Sequence, residues 1–233
     1  AVAADSYERP HYSPPAYSEW LLEYTDHSPL ERLDPLGAFV GDELVGFAGF
    51  WLPQRTNTHQ AWQWVCVEPQ RRGQGIGTAL VAALVGRAHA LGRTELLAEV
   101  WAPSDQPEHP YRRFAERRGF AIANVEVARA LALPVEGPLL ARLEAASRPR
   151  WEADYDVLTV TGGLPEDLQP SYCDLANLVA VDAPTGEADF EADALDPAEY
   201  TRYVALQAAQ GRTRLSAVAV PKGSRQVVAF TDL

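Results

Sequence analysis

The chain has 233 residues, 47% of them apolar, and 20 basic against 32 acidic side chains give it a formal charge of −12. That length admits one large domain or two small ones with ample core, and the acidic balance excludes DNA or RNA as a partner, since a phosphate backbone demands a basic face. No long apolar run or signal-peptide pattern is read, which makes a reducing cytoplasm the expected setting, with no membrane partner.

In chain order, the N-terminus reads as the tail of a first helix, with Ala1 already matching its end. A second helix opens at Pro14 or Pro15 and runs to about Tyr24, because proline suits a first helical turn. Strands follow at Gly37–Val40, Leu44–Leu52 and Gln60–Val67, the first two joined as a hairpin through Gly41-Asp42. Cys66 falls inside the third strand and is expected in the core. A glycine-rich run, Arg72-Gly73-Gln74-Gly75-Ile76-Gly77-Thr78, comes directly after. A long apolar helix over Gly75 to Gly92 follows it.

Glycines at such a strand-to-helix junction let backbone N–H groups turn toward a ligand. The first turn of the helix adds unpaired N–H groups and a partial positive charge. Together these make a phosphate cradle. It is not a Walker loop, which ends in Gly-Lys-Ser/Thr, because no lysine precedes Thr78. It is not a dinucleotide fingerprint either, because the spacing is G-x-G-x-G rather than G-x-G-x-x-G.

The next expected elements are a strand at Glu95–Trp101, a helix from Pro110 to Arg118 stopped by Gly119, and one or two strands within Phe120–Leu133. Arg112, Arg113, Arg117 and Arg118 on that helix read either as a solvated face or as help for a phosphate. Residues 134–150 read as a linker with a short amphipathic helix at Leu139–Ala146. Beyond it lie a strand at Tyr155–Val160, a helix opened near Pro165, a helix from Pro197 to Gln207, and a hairpin of Leu215–Val220 with Gln226–Thr231. The last helix and hairpin repeat the order seen at Pro15–Phe50, and Ala1–Asp5 resembles Val179–Asp182. Two tandem copies of one fold, about 180 residues apart, are therefore expected. The first copy lacks its opening strand and the second stops after its N-terminal half. The two cysteines, Cys66 and Cys173, and the scattered histidines form no metal-ligand spacing.

The run Arg72-Gly73-Gln74-Gly75-Ile76-Gly77 fits Q/R-x-x-G-x-G/A behind V-x-V-x-P, and so resembles the acetyl-CoA loop of the GNAT superfamily of N-acetyltransferases. The layout is similar to that of tandem GNAT proteins. The resemblance implies a mixed α/β sheet: one nearly complete GNAT-like domain over 1–133, a linker over 134–150, and the first half of a second domain over 151–233. It implies an acetyl-CoA site at Val65, Cys66, Val67, Arg72, Gly73, Gln74, Gly75, Ile76, Gly77 and Thr78, and no metal. The acceptor would be a small-molecule or peptide amine, and a homodimer is compatible with the pattern.

For proton transfer the family often uses a glutamate on the strand after the loop helix. Glu99 occupies that place, and a carboxylate in a partly apolar cleft there would have a raised pKa. The family tyrosine that protonates the leaving thiolate has no match, since its position is Ala115. Tyr111, one turn earlier on the same face, is the candidate in its stead. Tyr7, His11, Tyr12, Tyr17, Trp20 and Tyr24 fall in the region that lines the acceptor pocket in this family, and core packing accounts for Trp20 and Tyr24 equally well. Three functions compete: an amine acetyltransferase; a non-catalytic acyl-CoA-binding module with the chemistry in the second domain; and an unliganded scaffold, which the intact loop disfavours.

Overall fold

A computed structural model describes residues 15–26, 28–192 and 195–233. The readings placed on residues 1–13, including Tyr7, His11, Tyr12 and the match of Ala1–Asp5, lie outside the described residues. The chain forms two compact units. One gathers residues up to 127, except 21–23, together with Thr185–Glu191; the other takes the remainder.

The first unit contains helix α1 (Tyr17–Thr25) apart from its residues 21–23, and strands β1 (Glu31–Leu33), β2 (Leu36–Val40), β3 (Glu43–Pro53) and β4 (Gln60–Val67). Helix α2 (Ile76–Ala90), strand β5 (Glu95–Ala98) and the short helix α3 (Pro110–Glu116) follow. Strands β1 and β2 both pair antiparallel with β3, which pairs antiparallel with β4; β4 and β5 are parallel. A parallel pair needs a long crossover, and α2 supplies it. Leu80, Leu84 and Ala88, four residues apart, put one stripe of α2 on the sheet. They pack with Ala48, Phe50, Leu52 and Ala61 as a single buried cluster. Phe50, Leu52 and Leu84 are fully buried, and each such side chain contributes about 1.5–3 kcal/mol. Cys66 is buried as expected.

Two expectations for this unit fail. The strand expected over Glu95–Trp101 stops at Ala98, where its pairing with β4 ends. No strand forms within Phe120–Leu133. That segment has apolar residues at alternate positions, yet Val125, Leu131 and Leu133 are exposed by 74%, 74% and 80%. Alternation defines a strand's faces, but the strand itself exists only when a neighbour takes its backbone hydrogen bonds.

The second unit holds helix α4 (Gly137–Ser147), strand β6 (Tyr155–Thr161), helices α5 (Gln169–Asp182) and α6 (Pro197–Ala209), and strands β7 (Leu215–Pro221) and β8 (Ala229–Asp232). Its sheet runs β6-β7-β8, antiparallel throughout. The order α6-β7-β8 repeats α1-β2-β3 of the first unit. Helix α5 starts at Gln169 rather than near Pro165, because Pro170 falls in its first turn, where a missing N–H is harmless. The carboxylate of Asp196 caps α6 by accepting from Glu199 N at 2.9 Å, worth about 1 kcal/mol. Leu164, Leu168, Tyr172, Cys173, Tyr200, Val218, Val220 and Val227 form the core.

Burial pushes the Cys173 thiol up to about 11, with Asp196 and Asp174 adding to the effect. A thiol whose folded pKa exceeds its unfolded value, about 8.5, contributes stability that is whole below that pH. The contribution is lost as pH rises through the folded value. The melting temperature of this unit is therefore expected to fall between about pH 8.5 and 11. Cys173→Ala should flatten the lower half of that decline. An unchanged profile in Cys173→Ala melts would assign the slope to other groups.

Candidate active site: the cleft where two parallel strands part

Pairing between β4 and β5 ends at Gln63 with Ala98. Strand β4 continues through Trp64, Val65, Cys66 and Val67 with β3 alone as its ladder partner. One edge of those four residues thus faces the opening left by β5. The chain then makes a single tight turn at Pro69–Arg71 and enters the glycine run.

Gly73 and Gly75 have φ of 77° and 85°, a left-handed region that costs other residues about 1–2 kcal/mol. Gly75 is the N-cap of α2, and its carbonyl accepts the first helical bond, from Ala79 N at 3.0 Å. The N–H groups of Ile76, Gly77 and Thr78 precede that bond and have no acceptor within the helix. Gly77 answers a different need. A Cβ there would lie 3.1 Å from the Phe114 ring and 3.6 Å from Val67. The glycine lets α3 and the end of β4 close against the helix start.

Three side chains of the α3 region converge on this run. Tyr111 lies under the guanidinium of Arg72, 5.4 Å from its ring centre. Phe114 meets Gly77. Arg118 covers Phe114 at 4.0 Å and donates to Thr78 Oγ1. Arg112 and Arg113 are instead paired with Glu116 and Glu108, both at 2.8 Å. The cationic helix is thus divided: two arginines bind carboxylates of their own neighbourhood, and Arg118 is aimed at the first turn of α2. Arg72 Nε donates to Val67 O at 3.2 Å, tying the loop to the end of β4.

The cofactor residues named from the sequence are therefore contiguous in space, and Tyr111 joins them. Glu99 does not occupy an apolar cleft. It is exposed, one residue past the end of β5, and its carboxylate makes no hydrogen bond or ion pair among the described residues. Gln63, Phe114 and the segment Thr185–Glu191 were not singled out from the sequence, whereas Arg118 was named there with Arg112, Arg113 and Arg117 as help for a phosphate. For Arg118 the arginine-rich helix was the available signal.

The opposite face of β3 and β4 is aromatic. Ring centres run Tyr24–Trp20 at 4.3 Å, Trp20–Phe47 at 4.8 Å, Phe47–Trp64 at 5.3 Å and Trp64–Trp51 at 6.3 Å. Gly49 permits it, because a Cβ there would lie 2.3 Å from Trp64 Nε1 and 2.6 Å from Trp51. Thr185–Glu191 straps one end of this face. Phe190 stacks on Trp62 at 6.1 Å, Gln60 Nε2 donates to Asp189 O at 2.9 Å, and Asn57 N donates to Glu191 Oε2 at 2.7 Å.

Residues 2–120 match the sequence model of the Acetyltransferase (GNAT) family. Over 53 residues the chain is 45% identical to an L-2,4-diaminobutyric acid acetyltransferase of Methylotuvimicrobium alcaliphilum. The match spans 22% of this chain and 30% of that protein, well under half of either. In three dimensions it is similar to a tandem GNAT protein from the clavulanic acid biosynthesis pathway, solved without AcCoA. The TM-score is 0.59 and the identity 19%, over 99% of this chain and 67% of that one. This likeness concerns the fold: a mixed α/β arrangement of tandem GNAT type.

Proposed function

The chain belongs to the GNAT family of acetyltransferases, and on that premise we propose that its first unit binds acetyl-CoA and passes the acetyl group to a primary amine. The observation that carries this reading is the parting of β4 from β5 beside a left-handed glycine loop and the free N–H groups of α2. Those groups fit the cofactor: Gly73 to Thr78 and Arg118 would hold its pyrophosphate. The segment Val65, Cys66 and Val67 would lay the edge left by β5 along its pantetheine arm, with Val67 O held by Arg72. When bound, acetyl-CoA supplies an acyl thioester.

This chain's residues would do the rest. A backbone N–H of Val65–Val67 polarises the acyl carbonyl. Glu99 receives the proton that the ammonium must lose before its nitrogen can attack, directly or through water. Tyr111 Oη protonates the sulfur as the C–S bond breaks. The aromatic face from Trp20 to Trp64 borders the acceptor, and the diaminobutyric acid relative supports a small amino compound in that role. In domain terms we assign 1–133 to a first GNAT-like domain, 134–150 to a linker and 151–233 to the first half of a second, of which Thr185–Glu191 belongs by its contacts to the first compact unit. We place the protein in the cytoplasm and allow a homodimer. No helix among the described residues is long and apolar enough to cross a membrane.

A second reading, a CoA-binding module without turnover, is favoured by Ala115 in place of the family tyrosine and by the exposure of Glu99. Acetyl-CoA turnover with a panel of amines separates the two. Glu99→Gln and Tyr111→Phe are each expected to lower kcat by about 10²-fold, the usual loss of a general acid or base. Full activity in both variants would remove these residues from the mechanism. Wild-type turnover of no amine, with CoA still bound, would establish the second reading.

A further inference from the structure

Gln63 sits at the last rung before β4 and β5 part, opposite Phe50 on one side and Ala98 on the other. Side chains alternate along a strand, so it shares a face with Ala61, Val65 and Val67, which contact the cluster under α2. It is 7% exposed, and its carboxamide Oε1 is buried with no hydrogen-bond partner among the described residues. An apolar side chain would pack there at no such penalty, since a buried unpaired carbonyl loses its hydration and gains nothing in return. On the same face, Val67 lies next to Gly77 of the phosphate loop. At about 3.3 Å per residue, Gln63 lies about 13 Å back along β4 from Val67. The row from Val67 through Val65 to Gln63 thus joins the loop to the last rung of the β4–β5 pairing, and its last member carries a buried acceptor without a partner among the described residues.

We propose that Gln63 is a positioning residue for the acyl-CoA arm, its Oε1 accepting a hydrogen bond from an amide N–H of pantetheine laid along β4. The inference rests on the reading of unit one as an acetyl-CoA site and adds a side-chain anchor to a contact otherwise made by backbone. The ligand feature recognised is a secondary amide N–H. The adenosine and its phosphates are held elsewhere, at the glycine loop.

The test is calorimetric titration with two probes: CoA, and adenosine 3′,5′-bisphosphate, which has phosphates but no arm. Gln63→Leu is expected to weaken CoA about five- to tenfold, the size of one hydrogen bond, and to leave the bisphosphate affinity within about twofold of the wild type. Its melting temperature should be equal or higher, because the orphaned carbonyl is gone. Gln63→Met, unbranched and of similar length, gives the same comparison if leucine disturbs the strand. Equal weakening of both probes would make the effect structural, and unchanged affinity for both would mean that a buried water serves Oε1. Either result overturns the role of Gln63 and leaves the acetyl-CoA site standing. A wild-type protein that binds neither probe overturns the site itself.

Discussion

Gly75→Glu is expected to weaken CoA binding by about 100-fold or more while the first unit stays folded. Nothing lies within 4 Å of a Cβ built on Gly75, so the new side chain meets no steric bar. The backbone is a different matter, because φ is 85° there and a residue with a side chain is strained by about 1–2 kcal/mol. Gly75→Ala carries that strain alone. It measures how far the loop relaxes, and its affinity loss should stay near tenfold, the equivalent of about 1.4 kcal/mol. The carboxylate of Gly75→Glu then adds repulsion at the place where the α2 N–H groups and helix dipole favour an anion. Like charges some 6–8 Å apart near a protein surface repel by about 2–3 kcal/mol, which with the strain gives the stated loss. The repulsive part is screened by salt, so raising ionic strength should narrow the gap between the Glu and Ala variants. Equal CoA affinity in wild type and Gly75→Glu would exclude this loop as the phosphate site.

The glycine loop was readable from the sequence because its information is local. A strand, positive-φ glycines and a helix start follow one another within a few residues, and the backbone rules that read them need no tertiary knowledge. The same holds for Pro197 behind Asp196 at the start of α6, and for the hairpins. Glu99 shows where such reasoning stops. The sequence reads Glu95–Trp101 as one strand with Glu99 inside it, but the strand ends at Ala98 where its pairing with β4 stops, and no local pattern marks that point. Phe120–Leu133 fails for the same reason, since among the described residues no strand pairs with it and Thr185–Glu191 reaches its backbone through the single bond from Glu187 N to Ala123 O. Arg118, Phe114 and Gln63 acquire meaning only from elements up to forty positions away. Thr185–Glu191 is the extreme case: this stretch packs on Gln60 and Trp62 from more than a hundred residues downstream.

The largest stability effect is expected in the second unit, from Asp232→Ala. Asp232 Oδ2 accepts from Tyr172 Oη at 2.7 Å and pairs with Arg214 at 2.8 Å, while Oδ1 accepts from Ser216 Oγ at 2.6 Å. Arg214 also donates to Tyr172 Oη at 2.9 Å. Its side chain is only 11% exposed and that of Asp232 20%, so water screens the pair weakly. Burial and the neighbouring carboxylate hold the Tyr172 hydroxyl well above the usual tyrosine range, so it remains a donor at any physiological pH. Removing the carboxylate leaves a guanidinium buried without its counter-charge and takes the acceptor from two hydroxyls. The loss of one partner from such a pair costs about 3–5 kcal/mol. Tyr172→Phe, which takes one hydrogen bond and leaves the ion pair, should cost nearer 1 kcal/mol. The double variant Asp232→Ala with Arg214→Met should recover much of the loss, because an apolar replacement of both partners avoids the stranded charge. Two units need not unfold together, so a single melting curve is a poor reader here. Native-state amide exchange along β6 and β7 reports the local opening directly. A drop below about 1 kcal/mol in Asp232→Ala would put the pair in the class of surface ion pairs. No recovery in the double variant would mean that Asp232 acts through Ser216 and Tyr172 rather than through Arg214.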